Sequence, residues 1–394
     1  MAGQKKLLAV TTGRADYGLL YPLIMELNRS GRFRTELVAT GTHLSPSHGM
    51  TIDQIRSDGI DVHHTIFMTE SQDSERDICN AISSGITGFS DLYESARPDL
   101  VLVLGDRYEL WSTCISAVIH KIPIAHLHGG EITQGLIDDP IRHSITKMAT
   151  FHFTSMDLYA DRVIQMGEDP SRVFAVGALG IDNIRNMILM NRAEISEYTG
   201  VDFSHGVSLM TYHPVTLDHY SHATHQIKEV LDSIIEVNLP VIITMPNADP
   251  AGQVIYKKIQ DYVSKYPDKL KLIKNLGQRG YLSAMKYAKL IIGNSSSGIL
   301  ESASFRVPVV NIGDRQGKRF KPRNVIDCTC SKDAILKAIE EAMSDEFAKT
   351  LLNLKNPYGD GHAAERIVDI LSNIDLTDKS AFLKKGFLDM DYKK

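Results

Sequence analysis

Short apolar runs alternate with amphipathic stretches along most of the chain, and this alternation limits the possible folds more than any other feature. Two intervening stretches, YGLLYPLIMELNRS and ELWSTCISAVIHK, have the apolar spacing of helices. Strands that are apolar on both faces and separated by helices form parallel sheets covered on both sides. In the first half, the runs that we interpret as strands are LLAVTTG (7–13), TELVATG (35–41), DVHHTIF (61–67), DLVLVLGD (99–106), PIAHLHGG (123–130), TFHFTS (150–155) and RVFAVG (172–177).

The second half repeats the pattern after a polar segment, 190–205, that contains no strand-like run. A chain of 394 residues also exceeds the size of one typical hydrophobic core. We therefore predict an α/β protein with two Rossmann-like domains facing a central cleft, residues 1–185 and 186–375, and a C-terminal tail at 376–394. The helix HAAERIVDILSNI (362–374) is predicted to pack back on the N-terminal domain. The strand-like runs of the second half are GVSLMTYHP (206–214), PVIITMPN (240–247), KLKLIKNL (269–276), KLIIGNSSSG (289–298) and VPVVNIGD (307–314).

Charge and composition exclude several classes of partner. The net charge of -5 is opposite to the basic balance of a nucleic-acid-binding protein. No apolar stretch reaches the roughly 20 residues of a transmembrane helix, and MAGQKKLLAVTTG lacks the apolar core of a signal peptide, so we expect a cytoplasmic protein. The histidines between 205 and 225 have no H-E-x-x-H spacing, and no metal is predicted. Reduced, structural thiols are expected at Cys79, Cys114, Cys328 and Cys330.

Glycines, histidines and acids collect where the predicted strands end. In open parallel sheets, ligands bind outside the carboxyl ends of the strands, which are the ends where these residues lie. Arg14 lies in a glycine turn before a helix, where free N–H groups could hold an anion, although an ordinary strand–helix turn fits equally well. Neither a G-x-G-x-x-G fingerprint nor a P-loop is present. The segments concerned are TTGRADYG, VLGDRYE, HLHGGE, TYHPVT, MPNADP, GNSSSG and NIGDRQ.

The segment GNSSSG (293–298) places three hydroxyl groups at the start of a helix. One serine would suffice for a helix N-cap, so three favour a phosphate cradle over a cap alone. Glu301 follows about one turn later and could accept hydrogen bonds from a ribose diol. His213, which ends the strand VSLMTY, is placed for a phosphate contact.

The stretch HLHGGEITQGLIDDPIRH (126–143) and the preceding Asp106–Arg107 pair concentrate titratable groups at the ends of neighbouring strands. Arg107 could neutralise Asp106. His126 and His128 alternate along a strand, so their side chains point to opposite faces, and His128 is the better candidate to share the cleft with the acids. Asp138 or Asp139 could be only a cap for a helix that begins at Pro140, and Asp139 and Arg142, spaced i,i+3, could form a structural pair. The other titratable groups of the stretch are Glu131 and His143, and each acid alone could be structural.

Taken in order, TGRADYG, VLGDRYE, HLHGGE, DDPIRHSITKM, YHPVT, IGNSSSG and NIGDRQ resemble the hydrolysing UDP-N-acetylglucosamine 2-epimerases of sialic-acid biosynthesis over nearly the whole chain. The resemblance implies a GT-B fold and a nucleotide-sugar substrate. It also implies a reaction in which UDP leaves by anti elimination through 2-acetamidoglucal. Water then adds with inversion at C2, releasing N-acetylmannosamine and UDP. Neither a metal nor a redox cofactor is implied, and homo-oligomers, dimers or tetramers, are expected.

The resemblance also implies roles for individual residues. Asp106 and Asp138 match catalytic carboxylates, with Asp139 close enough to leave the register open. Glu301 matches the ribose acceptor, the backbone of Leu276 matches the uracil contact, and Tyr281 is placed to stack nearby. Gly18 stands where the mammalian enzyme that resembles this family has a serine. Gly18 and Arg142 are both expected near the sugar and the phosphates of the substrate. The matches to diphosphate and further nucleotide contacts are Arg14, Arg107, His213, Ser295, Ser296, Asn247 and Arg315.

One departure bears on the mechanism. Non-hydrolysing epimerases and the mammalian enzyme have a glutamate two residues after the histidine that matches His126, whereas this chain has His128 there and Glu131 three residues later. Bacterial hydrolysing relatives share this form, so either His128 or Glu131 takes the second acid/base role. A second substrate, UDP-2,4-diacetamido-2,4,6-trideoxyglucose of the legionaminic-acid branch, fits the same mechanism. The remaining alternatives are a non-hydrolysing epimerase, a retaining glycosyltransferase and a nucleotide-sugar-binding regulator without turnover.

Overall fold

The computed structural model describes residues 4–46, 49–68, 74–133, 137–214, 220–245, 250–376 and 382–389. The chain divides into two compact units. The first contains the chain as far as Glu131, the segment Asp138–Asn183 and the chain from Tyr358 onward. The second contains Ile132–Ile137 and Ile184–Pro357. Among the described residues, no helix is long and apolar enough to cross a membrane.

The first unit is built on a seven-stranded parallel sheet with the strand order β3-β2-β1-β4-β5-β6-β7. Each predicted run of the first half overlaps one of these strands: β1 and β2 begin two residues before their runs, and the other five strands lie within theirs. The strands are β1 (Lys5–Thr11), β2 (Phe33–Thr40), β3 (Val62–Ile66), β4 (Leu100–Leu104), β5 (Ile124–Leu127), β6 (Phe151–Thr154) and β7 (Val173–Ala175). The helices are α1 (Arg14–Ser30), α2 (Ile52–Ser57), α3 (Glu75–Ala96), α4 (Glu109–Ile119), α5 (Asp138–Met148), α6 (Asp157–Gln165) and α7 (Leu179–Asn186), which runs into the second unit.

The second unit contains a six-stranded parallel sheet with the order β10-β9-β8-β11-β12-β13. Its last strand, β13, was not predicted, because a four-residue edge strand with a half-exposed surface carries no apolar run. The strands are β8 (Val207–Thr211), β9 (Val241–Thr244), β10 (Leu270–Ile273), β11 (Ala288–Gly293), β12 (Val309–Ile312) and β13 (Val325–Cys328). The helices are α8 (Arg192–Thr199), α9 (Tyr220–Ile234), α10 (Pro250–Lys265), α11 (Gly277–Tyr287), α12 (Ser296–Leu300), α13 (Ser302–Phe305), α14 (Lys332–Ala342) and α15 (Asp345–Thr350).

The central strand β4 explains why these runs are apolar throughout. Leu100 and Leu102 belong to one hydrophobic core, and Val101 and Val103 belong to another. Because successive side chains of a strand point to opposite faces, the two cores lie on the two faces of the sheet. Helices therefore cover both faces, as the alternation of runs predicts.

The last long helix, α16 (Ala363–Asn373), packs on α1. Ile367 and Leu371 share a hydrophobic core with Leu23 of α1. The carboxylate of Asp182 caps α16 by accepting hydrogen bonds from the backbone N–H groups of residues 363 and 364, at 3.0 and 2.7 Å. The helix thus packs back on the first unit. The structure differs from the predicted domain boundary at 375, because residues from Tyr358 onward belong to the first unit.

Candidate active site

Asp106 and Arg142 form an ion pair in the first unit. Asp106 follows β4 directly after Gly105, and its Oδ2 accepts a hydrogen bond from the guanidinium of Arg142 on α5. The same guanidinium donates to the backbone carbonyl of His128 at 3.0 Å. Arg142 is only 4% exposed, so its charge requires this pairing. The helical spacing suggested a pair between Arg142 and Asp139, and the contact of Arg142 with Asp106 was not predicted.

Asp138 is the first residue of α5 and is half-buried. Burial raises the pKa of its carboxyl group to about 6, and the nearby Asp106 carboxylate adds to the increase. Two carboxylates that approach each other resist ionising together, because the like charges repel. A carboxyl group with a pKa near neutral can accept or donate a proton during a reaction.

His128 and Glu131 form a buried hydrogen-bonded pair in the loop after β5. Nδ1 of His128 lies 2.8 Å from Oε1 of Glu131, and the hydroxyl of Ser155 donates to the same carboxylate oxygen at 2.9 Å. His128 is 7% exposed and Glu131 is 2% exposed. The opposite ring atom, Nε2 of His128, is buried and has no hydrogen-bond partner in the described part of the chain. Its hydrogen-bonding capacity is therefore unused within that part of the chain.

The reason given for choosing His128 over His126 is wrong. Strand β5 ends at Leu127, and His128 has a left-handed backbone with φ of 63°, so strand alternation does not apply to it. His126 itself is fully buried, with Nε2 2.8 Å from the carbonyl oxygen of Gly105 and Nδ1 3.1 Å from the hydroxyl of Thr146. Burial lowers the pKa of His126 to about 3, so this imidazole is neutral and structural.

The sequence suggested that Arg107 neutralises Asp106, but the structure pairs Arg107 with another acid. Its guanidinium binds the fully buried Glu109 through two hydrogen bonds, from Nε at 3.1 Å and from Nη2 at 2.7 Å. The pKa of Arg107 is raised above its usual range, mainly by the negative charge of Glu109 and also by the hydrogen bonds to it. Glu109 ends the segment VLGDRYE and begins the helical stretch ELWSTCISAVIHK, but it was not singled out from the sequence as a site residue.

Two further buried polar residues, Asp16 and His43, were also missed. Oδ2 of Asp16 accepts hydrogen bonds from the hydroxyl of Thr11 at 3.0 Å and from the N–H of Thr12 at 2.6 Å. Nε2 of His43 lies 2.9 Å from the Thr11 hydroxyl. Burial raises the pKa of Asp16 and lowers that of His43 to about 4. Both residues follow strands of the sheet, β1 and β2, which is the signal that could have identified them.

The other predicted residues of the first unit lie on α1. Arg14 is exposed at the first position of this helix, after a glycine N-cap that has no side chain to contribute. Gly18 lies one turn further along, and its carbonyl oxygen accepts a hydrogen bond from Nδ2 of Asn183 at 2.8 Å. An exposed arginine at a helix N-terminus is suited to an anion.

In the second unit, Asn294 joins the ends of β8 and β11. The backbone N–H of His213 donates to Oδ1 of Asn294 at 2.7 Å, and Nδ2 of Asn294 donates back to the carbonyl of His213 at 2.8 Å. Gly293, just before, has φ of 136°, and a Cβ atom there would lie 1.9 Å from the carbonyl oxygen of Thr211. Only glycine fits this approach, so Gly293 sets the position of the serine segment.

The serines after Asn294 have different surroundings. Ser295 occupies the N-cap position of α12, but its side chain makes no capping hydrogen bond, and Ser296 begins the helix half-buried. Ser297 instead donates from its hydroxyl to the carboxylate of Glu301. Burial raises the pKa of Glu301 to about 7. Burial also raises the pKa of Tyr281, whose nearby charges include Glu301.

Arg315 and Leu276 complete the described nucleotide-contact predictions. Nη1 of Arg315 donates to the carbonyl of Asn294 at 3.1 Å, which ties the β12 loop to the serine segment. Burial, with the Arg315 charge, lowers the pKa of His213 to about 3, so His213 is neutral. The buried Leu276 accepts a hydrogen bond at its carbonyl from the Tyr198 hydroxyl at 3.2 Å. The predicted contact at Asn247 lies outside the described residues.

No cluster of three or more histidine, cysteine, aspartate or glutamate side chains that could hold a metal ion occurs in the described ranges. The structure thus assembles one polar group in each unit. The first unit offers carboxylates and an imidazole for proton transfer. The second offers serine hydroxyls, a neutral imidazole and an arginine, which are groups suited to phosphate oxygens.

Comparison with known proteins identifies the family of the chain. The family model for UDP-N-acetylglucosamine 2-epimerase matches residues 25–372. The chain is 38% identical to the GDP/UDP-N,N'-diacetylbacillosamine 2-epimerase (hydrolyzing) of Campylobacter jejuni, covering 98% of this chain and 100% of that protein. It is 35% identical to the polysialic acid biosynthesis protein P7 of Escherichia coli, covering 94% of each. The crystal structure of the Neisseria meningitidis UDP-GlcNAc 2-epimerase bound to UDP-GlcNAc has the same fold, with a TM-score of 0.80 at 18% identity, covering 93% of this chain and 99% of that one.

Proposed function

Because the chain belongs to the UDP-N-acetylglucosamine 2-epimerase family, we propose that it is a hydrolysing UDP-sugar 2-epimerase. Its reaction removes UDP from a UDP-2-acetamido sugar and releases the free C2 epimer. The observation that carries the proposal is the buried polar group of the first unit. There, the Asp106–Arg142 ion pair, the high-pKa Asp138 and the His128–Glu131 pair supply an acid/base set.

The first step is elimination. A base takes the proton from C2, the electron pair of that C–H bond forms the C1–C2 double bond, and the C1–O bond to UDP breaks. Asp138 is suited to be the base, because a carboxylate whose pKa is about 6 is a stronger base than an ordinary aspartate and is still mostly ionised at neutral pH. Burial keeps that pKa high, and the negative charge of Asp106, which Arg142 holds in place, adds to the increase.

The second step is hydration of the double bond. Water adds its hydroxyl group to C1, and a proton is delivered to C2 from the face opposite to the one that lost it. The His128–Glu131 pair supplies this proton transfer. Glu131 fixes Nδ1 of the imidazole, while the partner-free Nε2 exchanges protons with water and substrate. The two residues therefore act as one unit.

The second unit binds UDP. The hydroxyl groups of Ser295 and Ser296, the neutral imidazole of His213 and the Arg315 guanidinium hold the diphosphate. Glu301, when ionised, accepts hydrogen bonds from both hydroxyl groups of the ribose. Stabilising the negative charge that develops on the leaving diphosphate is the main electrostatic task of elimination.

We propose UDP-N,N'-diacetylbacillosamine, which is UDP-2,4-diacetamido-2,4,6-trideoxyglucose, as the preferred substrate. The relative from Campylobacter jejuni, whose name states a hydrolysing enzyme for this sugar, supports this choice. UDP-N-acetylglucosamine is the second candidate, and the polysialic acid biosynthesis protein of Escherichia coli favours it. Both sugars carry the 2-acetamido group and the C2 proton that the mechanism needs.

The test is a comparison of kcat/KM for the two UDP-sugars, with release of UDP and of free sugar measured separately. We expect both products in equal amounts, and a kcat/KM at least tenfold higher for the diacetamido sugar. A higher value for UDP-N-acetylglucosamine would overturn the substrate choice but leave the reaction intact. Ligand binding without turnover of either sugar would support a regulator and contradict the proposed function.

A further inference from the structure

Helix α5 carries two of the groups on which the proposed chemistry depends. Asp138 is its first residue, and Arg142, on the next turn, binds Asp106 and the His128 carbonyl. A helix responds to a force at either end as a nearly rigid rod, so whatever fixes its carboxyl end at Met148 also fixes these side chains. The inference below rests on the proposed function for its catalytic consequence.

The carboxyl end of α5 is held by Lys385, which is far away in the sequence. Its ammonium group donates to the carbonyl oxygens of Lys147 at 2.8 Å and of Ala149 at 2.7 Å. The last carbonyl groups of a helix have no partner within the helix and carry the negative end of its dipole. A lysine ammonium is therefore a favourable cap at this position.

The same ammonium group also lies 2.5 Å from the carboxylate of Glu168, which is only 1% exposed. Glu168 receives two more hydrogen bonds, from Nζ of Lys147 on α5 at 2.6 Å and from Nε2 of His152 on β6 at 3.0 Å. Burial alone would raise the pKa of Glu168, but these three bonds together lower it to about 2. Glu168 thus connects the last turn of α5 to the sheet, with Lys385 completing its neutralisation.

Residues 382–389 form a strap across this end of the first unit, and aromatic contacts fix it on both sides of Lys385. The Phe382 ring packs edge-on against Phe151 of β6 with centroids 5.3 Å apart. The Phe387 ring lies 4.9 Å from the ammonium of Lys147. At Gly167, φ is 85° and a Cβ atom would lie 2.5 Å from the Phe387 ring, so glycine gives the strap its close approach.

We propose that Lys385 is a positioning residue, which holds α5 through the strap and so keeps Asp138 and Arg142 in register with Asp106. Lys385 does not touch the reacting atoms. Phe382 packs against one core of the first unit, whereas Phe387 is 67% exposed and belongs to neither core. The strap can therefore be loosened at Lys385 and Phe387 without removing a core side chain. Loosening it lets α5 shift at its far end, where the acids lie.

The test compares Lys385→Met with Lys384→Met, a matched control because Lys384 is the adjacent lysine and is exposed. We expect Lys385→Met to lower kcat at least tenfold, with KM changed less than threefold, because UDP binding belongs to the second unit. The charge-retaining Lys385→Arg should recover part of the loss. Phe387→Ala, which loosens the strap from its other side, should lower kcat in the same direction by a smaller factor.

Hydrogen exchange provides a readout that does not depend on turnover. In Lys385→Met, the amides of the last turns of α5 should exchange at least tenfold faster, while those of α4 remain as in the unchanged protein. Unchanged exchange in α5 would overturn the inference whatever the activity. Faster exchange throughout both helices would also overturn it, because Lys385 would then support the whole unit. If the unchanged protein turned over neither UDP-sugar, the proposed function would fail, while the exchange result would still decide whether the strap holds α5.

Discussion

Nδ1 of His128 and Oε1 of Glu131 are 2.8 Å apart, and this hydrogen bond joins the two residues between which the sequence offered a choice. We therefore propose that the pair shares the second acid/base role. Glu131 orients the imidazole and favours a proton on Nδ1, which leaves Nε2 to exchange protons with a ligand.

The first prediction concerns this pair. Glu131→Gln and His128→Asn should each lower kcat by about 10²–10⁴, the usual contribution of a general acid or base. The double variant should lose little more than either single one, because the residues act together. Ser155→Ala removes a neutral hydrogen bond to the same carboxylate and serves as the control, with a loss below tenfold. Losses that multiply in the double variant would show independent roles.

The second prediction uses the raised pKa of Asp138. Its folded-state pKa is about 6 and its ordinary value is 3.8, so the folded protein binds the proton more tightly than the unfolded chain does. The contribution of this group to the free energy of unfolding is therefore largest at low pH, and it falls as the pH rises from about 4 to about 6. Asp138→Asn should accordingly raise the melting temperature more at pH 7.5 than at pH 5. Equal shifts at both pH values would contradict the coupling.

The matched control for that measurement is Asp139→Asn, at the adjacent position of the same helix. It should leave the pH dependence of the melting temperature unchanged and retain most of the turnover, whereas Asp138→Asn loses turnover sharply. The opposite assignment of the two effects would place the catalytic acid at Asp139.

The third prediction concerns nucleotide binding by Glu301. Its pKa of about 7 means that half of the carboxyl groups are protonated at neutral pH, and only the ionised form accepts both ribose hydroxyls. Affinity for a UDP-sugar should therefore rise between pH 6 and pH 8, while His213, with a pKa of about 3, stays neutral throughout. Calorimetry on the Asp106→Asn variant, which should not turn over, measures this. Adding Glu301→Gln should weaken binding and flatten the profile; a profile unaffected by that change would exclude Glu301.

The fourth prediction concerns Gly293. Its alanine variant places Cβ 1.9 Å from the Thr211 carbonyl, so β8 and β11 must separate locally. We expect a loss of at least about 3 kcal/mol in the free energy of unfolding by urea, combining backbone strain with overpacking. Gly277→Ala is the control, because φ there is 60° and nothing lies within 4 Å of the added Cβ. It should cost about 1 kcal/mol, and similar losses in both variants would contradict the steric argument.

The sequence predicted the parallel sheets well because buried strands such as LVLVL are apolar on both faces. It missed β13, whose half-exposed edge position needs no apolar run. It singled out Asp106 and Asp138 as candidates because they stand at strand and helix ends. It paired Arg107 with the wrong acid, because both Asp106 and Glu109 are near neighbours in the sequence and only the backbone path after β4 decides between them.

Contacts between residues far apart in the sequence could not be predicted, because they too depend on the path of the backbone. Nothing local in the sequence relates Lys385 to the end of α5, because the contact depends on how the chain returns after α16. The positive φ of His128 also has no sequence signal, although it decides where this imidazole points. The sequence pattern therefore locates the strands and helices and their ends, and tertiary packing decides which polar residues at those ends come into contact.

Proton NMR of the reaction in deuterated water tests the central mechanism most directly. Elimination followed by hydration predicts a free, manno-configured sugar that carries deuterium at C2, together with UDP in equal amount. The Asp138→Asn variant should still bind UDP but form neither product at a comparable rate. A released sugar that retains its original proton at C2, or a C2 epimer still linked to UDP, would contradict hydrolysing epimerisation by this route.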